Sequence, residues 1–377
     1  MWSSHSYKKQ GLSIGRLETL LDNAIEQTEL VHETDVSLPS VLTLNHLSER
    51  TNVSQAELRA LIERSDIEAY KRFSIAKRSG GRRYIKVPKP ALAHVQRWIH
   101  QHILAPVPSH RASFAFLKGK SIKDCAKLHC EARWLIKLDI ENFFETVSEI
   151  QVFWAFRYLG YQPLVSFELA RLCTIATPDH SPRRLFSNWR AIKSYEAIKK
   201  YDQLLLGYLP QGAPSSPLLS NLVMRDCDRK IAKIAKDYGL VYSRYSDDIT
   251  LSSSAIVFCR KNAQKVIDDV YKVLSQQGYL ANFRKTKVIS PRARKIVLGL
   301  NVNGPVPKLQ KEFKGRIRQH LYFARKVGPF QHIVARGFDS VWGFKTHLRG
   351  LIDYANMIEP DYADARLAEF NHVEWPE

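Results

Sequence analysis

Cysteine is scarce, and nothing in its arrangement suggests chemistry. Five occur in 377 residues (Cys125, Cys130, Cys173, Cys227, Cys259), an odd and scattered set without a C-x-x-C pair. This argues against a disulfide framework or a zinc ribbon, and Cys125 and Cys130, which flank His129, lack zinc-site spacing. Reduced, packed thiols are expected. Long apolar runs are missing too: none reaches the roughly 18 residues that span a bilayer. Met1-Trp2-Ser3-Ser4-His5 leads into polar residues rather than an apolar signal core, so a cytoplasmic protein is expected, with no membrane partner. There is no internal repeat and no low-complexity linker. Acid is in deficit, with 37 Asp and Glu against 57 Lys and Arg, a net charge of +20 and a pI near 9.7. A basic excess of this size faces a polyanion. Nucleic acid is the leading candidate and an anionic membrane surface the rival.

In other respects the composition is that of a globular protein, 45% hydrophobic and 25% charged, and the length suggests two or three structural units. Tyr242-Ser243-Arg244-Tyr245-Ser246-Asp247-Asp248-Ile249-Thr250-Leu251 places two acids between β-favouring runs, the pattern of a hairpin with carboxylates at its tip. Adjacent carboxylates repel, so the pair belongs either in a solvated turn or on a cation such as Mg²⁺. A second stretch, Trp134-Leu135-Ile136-Lys137-Leu138-Asp139, is a buried strand running into an acid. Asp139 is therefore either a site residue or the N-cap of a following helix.

Other segments have simpler readings. Leu17, Leu20, Leu21 and Ile25 mark a helix. Ser54 and Glu57 form a capping box ahead of Leu58, Leu61 and Ile62; with Leu44 and Leu47 this suggests a helical hairpin or a helix-turn-helix. Residues 73–88 form a basic hairpin around Ser79-Gly80-Gly81, a phosphate clamp or a solvated loop. An amphipathic helix covers 90–104. In Leu209-Pro210-Gln211-Gly212-Ala213-Pro214-Ser215-Ser216-Pro217, Ser215 or Ser216 should cap the next helix, and the loop can hold a base pair or phosphate. Residues 260–276 form another helix. From Lys308 onward Leu309, Phe313, Ile317 and Leu321 share one helix face among Lys308, Lys311, Lys314, Arg316, Arg318 and Arg325, a helix fit to track a phosphate backbone.

In this order, the basic hairpin, the strand-end acid, the Gln211 loop and the paired acids resemble a reverse transcriptase. Asp139 matches the family's first acid, and Tyr245-Ser246-Asp247-Asp248 its Tyr-x-Asp-Asp box. Within the family, residues 209–217 with Ser220-Asn221, residues 116–122 and residues 294–303 look most like the bacterial retron branch. The chain departs from that branch in three places. Cys125 stands for a usual Asn, Leu298 for a usual Thr, and Ser246 for a commoner Ala. The first two lie in regions the branch uses to recognise its RNA.

The resemblance implies an α+β right-hand polymerase fold with an antiparallel palm sheet. Its units would be an N-terminal helical extension (1–45), fingers (46–135), palm (136–305, with a helical insert near 150–206) and a basic helical thumb (306–377). It implies two Mg²⁺ ions on Asp139, Asp247, Asp248 and the Ile140 carbonyl, and dNTP contacts from Lys77, Arg83, Phe144 and Gln211. Lys285 would be a general acid, or else a salt-bridge lysine. It further implies a non-coding RNA used as template and, through a 2′-hydroxyl, as primer. The product would be branched RNA-linked DNA, held with a separate effector protein in phage defence. The rivals are another bacterial reverse transcriptase and a non-catalytic RNA-binding relative. The latter should lack an acid or a triphosphate contact, and neither is missing.

Overall fold

A computed structural model describes residues 3–64, 69–76, 80–176 and 206–376. Lys77 and the basic pair Arg183-Arg184 lie outside the described residues. Strands β1 (Tyr70–Ala76) and β2 (Arg82–Pro88) pair antiparallel from Tyr70↔Pro88 to Ala76↔Arg82, the hairpin expected around the two glycines. Only its base is buried, at Lys86 and Pro88, and Phe73, Ile75 and Tyr84 are at least half exposed. The ribbon therefore projects from the body.

The centre of the molecule is built from β3 (Trp134–Asp139), with β4 (Ile175–Ala176) and β5 (Gly207–Tyr208) forming a small separate pair. β6 (Val241–Tyr245), β7 (Asp248–Ser253) and β8 (Lys287–Ile289) complete an antiparallel sheet in the order β6-β7-β3-β8. Ile136, Leu138, Ile249 and Leu251 are at most 1% exposed and alternate along the two middle strands, so they share one face of the sheet. Helices Arg225–Asp237 and Arg260–Gln276 pack on this core through Ile231, Val266, Val270 and Leu274, each contributing about 1.5–3 kcal/mol by burial.

A second apolar cluster joins β9 (Ile296–Val297), β10 (Leu300–Asn301) and β11 (Lys308–Leu309) to helices Lys311–Lys326 and Val341–Ile358. Leu135 of β3 belongs to it, so the basic C-terminal helices are anchored to the central sheet. Among the described residues no helix is long and apolar enough to cross a membrane.

Two local expectations are corrected. Lys308 and Leu309 form β11 rather than the start of the basic helix, because the Leu309 N–H is taken by the Glu359 carboxylate at 2.7 Å and the helix starts at Lys311. Neither serine hydroxyl caps helix Ser216–Val223. Pro217 in its first turn removes one N–H that a cap would satisfy, and Ser216 Oγ donates to the Pro210 carbonyl at 2.8 Å instead. Helix Gln55–Glu63 starts at the expected place, though only half of the capping box forms, Ser54 Oγ accepting from the Glu57 N–H; Leu17 is the N-cap of helix Glu18–Thr34, and Pro90–Ile99 continues as a π turn to Leu104.

Candidate active site

β3 is apolar and buried as far as Leu138, then ends on Asp139, which is 8% exposed and lies directly across from Asp248 at the start of β7. Directly opposed residues of an antiparallel pair project from the same face, their Cβ atoms about 4.5–5.5 Å apart. Tyr245 pairs with Asp248, so the hairpin turn is Ser246-Asp247. Ser246 has φ 59°, a region that a side chain rarely enters and that stores strain. Two hydrogen bonds hold the turn: Arg244 Nη1 donates to the Ser246 carbonyl at 3.0 Å, and the Ile140 N–H donates to the Asp247 carbonyl at 3.1 Å. The second bond draws the end of β3 to the turn. Asp139 is thus a strand-end residue rather than a helix cap; Asn142 stands at the N-cap of the short helix Phe143–Thr146.

Three carboxylates gathered this way are electrostatically uncomfortable. Burial pushes Asp247 above the ordinary carboxylate range, and the charges of Asp139 and Asp248 add to the shift. Asp248 is also raised by burial and by Asp139, with Lys137 and Lys285 opposing. Lys285 Nζ donates to Asp139 Oδ2 at 2.8 Å. Burial alone would lower the pKa of Lys285, but its hydrogen bond to Asp139 and the three negative charges outweigh this and raise it. Lys137 Nζ lies 3.8 Å from Asp248 Oδ1. Among the described residues no three His, Cys, Asp or Glu side chains already converge as a metal cage. The donor set nevertheless fits a hard divalent cation: carboxylate oxygens only, on two acids raised in pKa by burial and by the charge of their neighbours.

The remaining expected residues flank this patch. Phe144 is half-buried, its ring 5.6 Å from Phe143 and 6.1 Å from Phe116. The Gln211 carbonyl accepts from the Lys86 N–H at 2.8 Å. At Gly212, φ is +117° and an added Cβ would stand 2.9 Å from Ile85 Cγ2, so only glycine lets the loop lie this close to β2. Arg83 is exposed, opposite Ile75 at the end of the same hairpin nearest Gly80-Gly81. Lys308, Lys311, Arg316, Arg318 and Arg325 are exposed. Lys314 instead turns inward, ion-paired with Glu359 and 4.8 Å over the Tyr362 ring.

Sequence reasoning missed three buried supports. The Arg244 guanidinium binds Asp228 through two bonds, Nε to Oδ1 at 2.8 Å and Nη2 to Oδ2 at 2.7 Å, with both side chains fully buried. Tyr242 Oη donates to Asp228 Oδ1 at 2.6 Å, and Arg244 Nη1 reaches Asn221 Oδ1 at 3.2 Å. An arginine inside a strand with no other charge, two residues before the turn, was the available signal. His129 bridges β6 and β7, its ring nitrogens 2.7 Å from Ser243 Oγ and Ser252 Oγ, and burial lowers its pKa to about 4. Cys125 Sγ, with burial pushing its pKa up to about 11, touches Ser243 Oγ. Lys86, buried at the base of the β1–β2 hairpin, binds Glu145 at 2.6 Å and lies 4.8 Å over the Tyr208 ring. It ties the hairpin and the Gln211 loop to the segment carrying Phe144.

Residues 75–314 match the family model described as reverse transcriptase (RNA-dependent DNA polymerase). The chain is 30% identical over 337 residues to the Retron Ec86 reverse transcriptase of Escherichia coli, covering 87% of this chain and 93% of that protein. It is 31% identical over 305 residues to the Retron Mx65 reverse transcriptase of Myxococcus xanthus, covering 81% and 65%. With the Retron Ec73 reverse transcriptase of Escherichia coli it shares 28% identity over 319 residues, covering 82% and 89%.

Proposed function

The chain belongs to the reverse transcriptase (RNA-dependent DNA polymerase) family, in its bacterial retron branch, and from that premise we propose that Asp139, Asp247 and Asp248 carry its DNA synthesis. The observation that carries this reading is the register: Asp139 and Asp248 are cross-strand partners at the end of the central sheet, with Asp247 in the adjoining turn. The three carboxylates and the Ile140 carbonyl would hold two Mg²⁺ ions. Bound there, the ions would lower the pKa of the primer hydroxyl and neutralise charge on the triphosphate and its leaving pyrophosphate.

The chain's own groups do the rest. Lys285 is protonated at neutral pH and sits beside the acids, so its Nζ can give a proton to the departing pyrophosphate. Arg83 closes on the triphosphate from the projecting hairpin, forking onto its oxygens, and Lys77 shares this role. Phe144 packs under the incoming sugar and rejects a 2′-hydroxyl, while Gln211 borders the same sugar. Lys86 positions both by joining their segments. The exposed cations Lys308, Lys311, Arg316, Arg318 and Arg325 grip the template–primer duplex by its backbone, in a thumb spanning 306–377. The fingers then span 46–135, the palm 136–305, and the helices at 1–45 form an extension.

In the same reading the template is a cognate structured RNA primed from one of its own 2′-hydroxyls. The product is branched RNA-linked DNA, and a separate effector protein completes an antiphage assembly. The test is the nucleic acid that co-purifies with the chain. One discrete RNA–DNA species whose DNA stays attached to RNA through a 2′–5′ linkage supports the reading. A DNA with a free 5′ end, or heterogeneous RNA alone, contradicts it.

A further inference from the structure

Helix Arg225–Asp237 buries Cys227, Asp228, Ile231 and Ala235. Three cations stand on the side left over: Arg229, Lys233 and Lys236, at i, i+4 and i+7 and all exposed. With a rise of 1.5 Å per residue they are about 6 and 4.5 Å apart along the axis, one stripe at one-turn intervals. The stripe lines a groove of ≈ 770 Å³, to which Arg111 contributes from the segment before β3 and Phe114 and Val241 contribute apolar surface. No carboxylate lines it. Arg229 pairs with Asp226 at 2.6 Å, whereas Arg111, Lys233 and Lys236 form no ion pair among the described residues. The groove meets β6, the outer strand of the central sheet, at Val241. Val241 is five residues from the hairpin turn, or about 16 Å at 3.3 Å per residue. The groove therefore lies along the outer edge of the sheet and is separate from the three acids.

We infer that this groove is a second RNA surface, outside the template–primer cleft, that takes a single-stranded segment of the enzyme's own RNA. The inference rests on the reading of the chain as an RNA-directed polymerase, since that reading makes RNA the polyanion at hand. One-turn spacing of the stripe, with Lys233 and Lys236 free of ion pairs among the described residues, suits successive phosphates of one strand. The apolar walls give riboses and bases a surface to lie on, and the lysine stems can cover them. An acidic protein segment is the rival occupant. RNA is favoured because the whole chain carries a net charge of +20, an excess fitted to a long polyanion.

The test is Lys233→Gln/Lys236→Gln in the full chain, assayed with labelled long oligouridine while saturating unlabelled short RNA–DNA hybrid fills the cleft. Affinity should fall about tenfold and the log–log salt slope by about 1.4, at roughly 0.7 per lost phosphate contact. The rate of dNTP addition to the short hybrid should be unchanged. Unchanged oligouridine affinity and salt slope would overturn the inference. So would RNA binding equal to wild type with loss of a co-purifying acidic protein. The binding arm does not depend on synthesis, so a wild-type chain that binds oligouridine in the groove but adds no nucleotide would contradict the polymerase reading alone.

Discussion

Replacing Arg244 by Met should be among the most damaging single changes in the palm, although the side chain touches no solvent. The guanidinium and the Asp228 carboxylate are both fully buried, joined by bonds of 2.7 and 2.8 Å. Burial works against the charge on Arg244, and Asp228 more than compensates, so its pKa is raised. Arg244→Met leaves the Asp228 anion in the core with only Tyr242 Oη still facing it among these groups. Breaking a buried pair from one side costs about 3–5 kcal/mol. That is a large part of the about 5–15 kcal/mol that holds a typical domain folded. Urea unfolding at pH 7 measures it. Asp228→Leu on top of Arg244→Met removes the stranded anion, so the double variant should be more stable than Arg244→Met alone. Because Arg244 Nη1 also holds the Ser246 carbonyl, nucleotide addition by the folded fraction should fall as well. An Arg244→Met protein within about 1 kcal/mol of wild type, or a double variant less stable than the single, would refute this reasoning.

Two further outcomes are expected. His129 is held neutral with a pKa near 4, below its ordinary 6.5, because of burial. The unfolded chain therefore takes up this proton first as pH falls. The stabilisation is complete above pH 6.5 and is lost between 6.5 and 4, on the order of 3 kcal/mol at 1.36 kcal/mol per unit. Urea midpoints of wild type should fall more steeply over that window than those of His129→Gln, and parallel curves would contradict the placement. Lys285→Ala should slow single-nucleotide addition by about a hundredfold. Pyrophosphorolysis should slow in parallel while hybrid binding is unchanged, and normal rates would leave Lys285 as an ion-pair partner of Asp139 only.

The legible parts of this molecule were those in which chemistry and local pattern coincide. Asp139 stands out because an acid ends an apolar run, and Asp247-Asp248 because two acids interrupt β-favouring residues; the register that opposes them follows from pairing the two runs. Helix Arg260–Gln276 was legible to its ends, its period unbroken by Gly or Pro. What sequence could not give depends on distant partners. Arg244, Asp228 and Lys86 look like ordinary surface charges until the fold sets each against its partner. His129 drew notice only for its neighbouring cysteines, and its bonds to Ser243 and Ser252 cross more than a hundred residues. The misplaced Leu309 failed for the same reason: its N–H is claimed by Glu359, 50 residues away. The Ser215–Ser216 cap is missing for a local reason: Pro217 in the first turn leaves one N–H fewer to satisfy, and Ser216 Oγ bonds the Pro210 carbonyl instead.

If the carboxylates gathered at the end of β3 and the β6–β7 turn carry polymerisation, their removal must stop synthesis without loosening RNA. The most direct measurement is dNTP incorporation on a primed RNA template with Mg²⁺ by wild type and by Asp247→Asn/Asp248→Asn, with RNA affinity measured in parallel. Wild type should synthesise DNA and the variant none, at unchanged RNA affinity. Continued synthesis by the variant would contradict that role for the acids.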